Sequence, residues 1–230
     1  MTEQTGTNLR VVTYNVHGLA DDRQALVTLV RELKPDVLVL QEAPRRFRWR
    51  HKCAALAHDL GMVVAVGGGP GLGNLILTDL RVWVTDTGIR RLPHTPGRHL
   101  RGAVVAHCRI GSTPFTVVGT HLSYDPVELP EHAQQLSRWL TQLPGPVILA
   151  GDLNDQPGGP AWEILQPGRV DAATVDGAVA ADTFPAVAPD RRIDAILVDP
   201  EVTVRSCWVV DSAAARRASD HLPVVADLQL

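Results

Sequence analysis

The stretch Gly145-Pro-Val-Ile-Leu-Ala-Gly-Asp-Leu-Asn-Asp155 constrains the fold of this chain more than any other. Its apolar run at 147–150 has the length of a buried strand, Gly151 lets the chain leave it, and Asp152 and Asn154 stand at its C-terminal end. An acid and an amide in that place have two readings. They close a turn through local hydrogen bonds, or they belong to a site, because α/β proteins put their chemistry at the carboxyl ends of strands. The choice depends on whether other strands deliver matching polar groups.

Other strands do. Residues 9–14 are rich in β-branched side chains and run into Asn15-Val-His-Gly18, a strand ending in a polar turn. Over 21–33, Ala25, Leu26, Leu29, Val30 and Leu33 recur at helical spacing, with Asp21 or Asp22 as N-cap and Pro35 just past the end. Asp36-Val-Leu-Val-Leu-Gln-Glu42 then repeats the opening pattern, an apolar run closed by a polar pair. Strand, helix, strand in this order predicts a crossover that brings Asn15 and Glu42 to the same end of a sheet.

Farther along, a predicted helix over 44–60 carries Arg45, Arg46, Arg48, Arg50 and Lys52 with Phe47 and Trp49 between them, and Gly61 ends it. A strand at 62–66 is followed by Gly67-Gly-Gly-Pro-Gly71, which reads as a hairpin connection. It lacks the Lys-Ser/Thr pair of a phosphate-binding loop, and no helix follows it. Strands are expected at 74–77 and 82–87, a loop over 90–101, and a hairpin of 103–108 with 115–120 that delivers His121. Helices follow at 126–143 and 160–165, and a loop runs to 190. Strands at 193–198 and 202–209 are predicted to pair as a hairpin turning at Asp199-Pro200, with Asp194 opening the first. Ser219-Asp-His-Leu-Pro223 precedes a last strand at 224–228.

The chain has 230 residues, enough for a full core in one domain, which is assigned to 9–230 behind a flexible segment at 1–8. A net charge of −3 argues against a protein that coats nucleic acid through a global positive field, though it leaves room for a local basic patch. The polar N-terminus is unlike a secretory signal and no apolar run approaches membrane-spanning length, so a cytoplasmic protein with no membrane span is expected. Cys53, Cys108 and Cys207 are widely spaced and suggest neither a disulfide framework nor a zinc site. The oligomeric state is left open.

Asn15, Glu42, His121, Asp152 with Asn154, Asp194, and Asp220 with His221 thus fall at strand ends. Singly, each is explained by a cap, a solvated end or a satisfied core group; together they indicate a shared site. Oxygen donors without clustered Cys or His favour Mg²⁺ or Mn²⁺ over zinc. Asn and His donors suit a phosphate gaining charge in the transition state, and a His with a carboxylate partner can act as a general acid. The set describes metal-assisted hydrolysis of a phosphate ester.

The order Tyr-Asn15, Gln-Glu42, Thr-His121, Gly-Asp152-Leu-Asn154, Arg-Ile-Asp194 and Ser-Asp220-His221 resembles the endonuclease/exonuclease/phosphatase superfamily over nearly the whole chain. The resemblance implies an α/β fold, a four-layer sandwich of two packed mixed sheets flanked by helices. It also implies that Glu42 is the principal metal ligand, with Asn15 and Asp220 nearby, that Asp152 orients and helps deprotonate the attacking water, and that Asn154 holds that water or a phosphate oxygen. His221 would donate to the phosphate, and His121, supported by Asp194, would protonate the leaving oxygen as in pancreatic-type deoxyribonucleases. Arg101 falls where those enzymes place an arginine that touches a backbone phosphate.

The substrate is less legible. The basic segment 45–52, with its interleaved aromatics, either tracks a phosphate backbone or is an amphipathic helix whose cations face water. The expectation is a nuclease-like phosphodiesterase acting on a phosphate ester such as DNA or RNA. The alternatives are a phosphomonoesterase, a small-molecule or lipid phosphodiesterase, and, last, a catalytically silent binding module.

Overall fold

The computed structural model describes residues 6–177 and 180–230. Two six-stranded sheets are built from twelve strands. The first contains β1 (Asn8–Asn15), β2 (Val37–Gln41), β3 (Val63–Gly67), β4 (Leu75–Thr78), β11 (Thr203–Val209) and β12 (Val224–Gln229), in the order β11-β12-β1-β2-β4-β3. The second contains β5 (Trp83–Arg91), β6 (Gly102–Ile110), β7 (Thr113–His121), β8 (Val147–Asp152), β9 (Val170–Asp171) and β10 (Asp194–Val198), in the order β5-β6-β7-β8-β10-β9. Each sheet holds one parallel pair joined through a helix. The helix α1 (Arg23–Leu33) links β1 to β2, and α3 (Glu128–Leu140) links β7 to β8.

The period-two alternation of the strands creates the layers. In β2, Val37 and Val39 enter the core between the sheets, and Leu38 and Leu40 point outward to α1 and α2 (Trp49–Leu60). In β8, Ile148 and Ala150 face the other sheet, and Val147 and Leu149 pack under α3 and α4 (Pro160–Leu165). Both faces of these strands are covered, which is why they read as unbroken apolar runs. Gly119 marks the close approach of the sheets, since a Cβ there would sit 2.7 Å from Val39 Cγ1. This is the expected four-layer α/β sandwich.

Several boundaries differ from the sequence reading. The 193–198 and 202–209 strands do not pair: both edges of β10 are taken by β8 and β9, whereas β11 pairs with β12, so the chain crosses between sheets at Asp199–Glu201. The helix expected over 44–60 begins only at Trp49. Ahead of it the chain is drawn to the glycine loop, with Ala43 N on Gly73 O at 2.8 Å and an Arg45 guanidinium N–H on Leu72 O at 3.2 Å, and Arg48 turns to a positive φ of 57°. The short helix α5 (Ala213–Ala218), capped by Ser212 Oγ on Ala215 N, was not foreseen. Asp22 caps α1 through Ala25 N, as expected, a contact worth about 1 kcal/mol. Thr7 and Leu230 exchange backbone hydrogen bonds, so pairing begins inside the 1–8 segment, of which residues 1–5 lie outside the described residues. Among the described residues no helix is long and apolar enough to cross a membrane.

Candidate active site

Strand register alone assembles the centre of the site. The parallel β7–β8 ladder sets His121 opposite Asp152, and the antiparallel β8–β10 ladder sets Asp194 opposite Asp152. The three side chains therefore stand in one row across the second sheet. From the first sheet, the β1–β2 register puts Asn15 opposite Gln41, which leaves Glu42 one residue beyond. Asn15 bridges the sheets by donating from Nδ2 to Asp152 Oδ2 at 3.0 Å. His121 Nε2 lies 3.2 Å from that same oxygen and His221 Nε2 3.9 Å from it.

One assignment of the sequence reading is corrected here. Asp194 does not support His121; its Oδ2 lies 2.8 Å from His221 Nδ1. The reason is spatial, because Asp152 stands between Asp194 and His121 in the row, whereas the turn before β12 brings His221 in from the first sheet. That turn is held by Ser219, whose hydroxyl donates to Asn15 O at 2.7 Å and accepts from His221 N at 3.3 Å. Thr183 Oγ accepts from Ile193 N and Asp194 N and fixes the start of β10, and the Phe184 ring packs on the His221 ring at 4.7 Å between centroids. Thr183 and Phe184 carried no signal in the sequence, and Ser219 was read only as the residue ahead of Asp220, since the contacts through which they act on the site include partners remote in the chain.

Asn154 folds back so that its N–H donates to Asp152 Oδ1 at 2.9 Å, and its Nδ2 donates to Leu122 O at 2.9 Å, which leaves Oδ1 as the unengaged end of the amide. Asn154 and Glu42 both hold positive φ values, 50° and 55°. Asn tolerates that conformation; for Glu it costs energy, and such strain collects at functional sites. Asp220 is half-buried, with its backbone oxygen accepting from Ala186 N and its carboxylate 3.9 Å from His17 Nδ1.

The electrostatics separate the two histidines. Burial pushes His121 well below the usual imidazole range, and Arg101, His221, Arg45 and His99 add to this, so it is neutral at neutral pH. Burial also disfavours a charged His221, but the Asp194 carboxylate outweighs it and holds the imidazole up at about 9. Asp152, 1% exposed, is pushed up to about 7 by burial and then by Asp194, against the pull of His221 and the hydrogen bonds from Asn15 and Asn154. Arg101 is lowered by burial, and its Nε is buried with no hydrogen-bond partner among the described residues.

The donor set suits a hard divalent cation. Glu42, Asn15 and Asp220 line one cleft of about 1010 Å³ together with His121, Asp152 and His221. One ligand atom from each of Asp152, Asp194 and His221 lies within 4.8 Å of the others, and Asp194 Oδ1 is buried without a partner among the described residues. All the carboxylate and amide donors are oxygens and no thiolate is near, which matches Mg²⁺ or Mn²⁺ rather than zinc. The protonated, Asp194-bound His221 is a poor ligand, because an imidazole must be neutral to coordinate.

Two packed mixed sheets whose strand ends meet around a carboxylate and imidazole hub define the class: an α/β sandwich with a polar site at the carboxyl ends of its strands. The chain belongs to the Endonuclease/Exonuclease/phosphatase family, which it matches over residues 12–221. Among solved structures it is similar to the endonuclease/exonuclease/phosphatase of Bacteroides vulgatus, with 20% identity, 97% of this chain and 99% of that one covered, and a TM-score of 0.80. It is similar to the mannosyl-6-phosphatase of Bacteroides thetaiotaomicron, with 19% identity, 96% and 100% covered, and a TM-score of 0.82. It is similar also to D. rerio TDP2 complexed with a single-strand DNA product, with 19% identity, 97% and 100% covered, and a TM-score of 0.80. At these identities the likeness is one of fold. No curated protein matches the chain by sequence.

Proposed function

We propose that this chain is a divalent-metal-dependent phosphodiesterase, nuclease-like in its reaction, in which an activated water attacks phosphorus in line with the leaving oxygen. The observation that carries the reading is the hub itself: Asp152 within hydrogen-bond reach of Asn15 and His121, with the His221–Asp194 pair beside it, at the floor of an open cleft. Glu42, with Asn15 and Asp220, would hold the cation, which when bound neutralises charge on the phosphate oxygens.

The chain's own groups have separate tasks. Asp152, fixed by Asn15 and Asn154 N, accepts the proton of the attacking water, and Asn154 Oδ1 holds that water or a phosphate oxygen. His221, oriented by Asp194, donates to a phosphate oxygen as charge builds on it. His121, on the opposite side of Asp152, is assigned protonation of the leaving oxygen; it is neutral in the free protein, so it must first take a proton from solvent, which the negative charge of a bound phosphate favours. Arg101, buried along one edge and lacking a carboxylate partner, offers its guanidinium to the phosphate.

A diester is favoured over a monoester because the cleft volume of about 1010 Å³ lies at the upper end of ordinary small-molecule pockets and accommodates substituents on both sides of the phosphate. The test is turnover of bis-nitrophenyl phosphate against nitrophenyl phosphate with Mg²⁺ and Mn²⁺. Preference for the diester is expected, and turnover of the monoester alone would replace this reading with a phosphomonoesterase.

A further inference from the structure

The cleft has a second cationic region that the hydrolytic step does not use. Nine of the twenty arginines have a carboxylate partner among the described residues, including Arg10 with Asp227, Arg23 with Asp59 at the cleft edge, Arg81 with Asp36, Arg192 with Asp171 and Arg216 with Asp211. Arg45, Arg46 and Lys52 line the cleft and make no ion pair among the described residues. Their placement also works against the local fold. They lie just before and within the first turn of α2, where the helix dipole disfavours cations, and that turn contains no acid. A charge pattern that opposes its own secondary structure, and finds no carboxylate partner among the described residues, is explained by an external anion.

A second feature gives the anion its class. Phe47, between Arg46 and Arg48, is 83% exposed. It gains nothing for the core, and neither does Tyr124, an exposed aromatic on the cleft lining that follows β7 of the other sheet. Unpaired cations interleaved with solvent-facing aromatic rings are the composition of a surface that follows a phosphate backbone and stacks unpaired bases. A duplex presents no free base faces to such rings.

Resting on the phosphodiesterase reading above, we infer that Arg45, Arg46 and Lys52 with Phe47 form a track for the non-scissile part of a single-stranded nucleic acid, making an extended single strand the preferred substrate class. The segment binds the phosphates flanking the one held at Asp152, and Phe47 stacks a base. The acidic net charge of −3 fits a track confined to one cleft.

The experiment measures the Kd of a fluorescently labelled oligothymidylate of about 12 nucleotides, within single-strand site sizes, by anisotropy in EDTA as a function of salt. The KM for the same strand is measured with Mn²⁺. Replacing Arg45, Arg46 and Lys52 by Ala together is expected to raise Kd and KM tenfold or more and to flatten the salt slope by about 0.7 per lost phosphate contact. Phe47→Ala should raise Kd about fivefold or more, the low end for one stacked base. Arg138→Ala, an exposed cation on α3, should leave both constants unchanged. A triple variant within twofold of wild type overturns the track. So does a duplex that binds as tightly as the single strand, or inositol hexakisphosphate displacing the oligonucleotide as the tighter ligand of the same residues. Wild type inert toward bis-nitrophenyl phosphate would overturn the phosphodiesterase reading instead, while the Kd comparison would still decide the track.

Discussion

Asp194 Oδ2 lies 2.8 Å from His221 Nδ1, and this contact joins the two sheets, since Asp194 opens β10 of one and His221 precedes β12 of the other. It orients the imidazole and keeps it charged. Asp194→Ala is therefore expected to lower kcat on a diester by about 10²–10⁴ with a smaller change in KM, because the interaction matters most as charge develops. A kcat within twofold of wild type, with the circular dichroism spectrum unchanged, would mean that His221 does not act through Asp194.

Gly151 sits next to Asp152 in β8, and a Cβ on it would run into Thr120 O of the neighbouring strand. Gly151→Ala must push β8 away from β7 and carry Asp152 off His121. We expect kcat to fall at least tenfold together with a lower Tm, measured on the same preparation. Unchanged thermal melting and unchanged kcat would show that the ladder absorbs the methyl group without moving the hub.

The strands and the crossovers were legible because their signal is local: runs such as 37–40 are apolar on both faces, and the parallel pairing follows from chain order. That Asn15, Glu42, His121, Asp152, Asn154, Asp220 and His221 line one cleft was legible for the same reason, since each lies at or within four residues of a strand end. Partnership was not. Nothing near Asp194 in the chain reveals that its neighbour in the row is Asp152 and that His221 arrives from the other sheet. The supposed hairpin at Asp199-Pro200 failed likewise, because a tight turn looks the same whether its strands pair or separate into two sheets. In the basic segment, helical periodicity over 44–48 was overridden by tertiary hydrogen bonds to the glycine loop.

Glu128, buried at the start of α3, accepts from Thr95 N at 2.9 Å and Ser123 Oγ at 2.9 Å and so holds the loop leading to Arg101. Burial pushes its carboxyl up, but these hydrogen bonds and His132 outweigh it and bring it down to about 2 from an ordinary 4.5. The depressed pKa means that its contribution to stability is complete above about 4.5 and is lost as pH falls toward 2. The Tm advantage of wild type over Glu128→Gln should be constant between pH 6 and 8, roughly flat as linkage requires, and should shrink on acidification below pH 4.5. An advantage that grows in acid would contradict the assignment.

Glu42 holds a positive φ at the cleft edge and is the leading candidate for the cation. Removing divalent ions with EDTA should abolish hydrolysis, and Mg²⁺ or Mn²⁺ should restore it. Glu42→Gln should raise the metal concentration giving half-maximal activity by about tenfold or more. Full activity in chelator would exclude a metal-assisted reaction.

The central claim is that Asp152, held by Asn15 and Asn154, activates the attacking water. It is tested most directly by the initial rate of bis-nitrophenyl phosphate hydrolysis with Mn²⁺, wild type against Asp152→Asn, each shown to be folded by its melting curve. The account predicts a loss of about 10²–10⁴ in kcat, and a folded Asp152→Asn protein that hydrolyses the diester at the wild-type rate would contradict it.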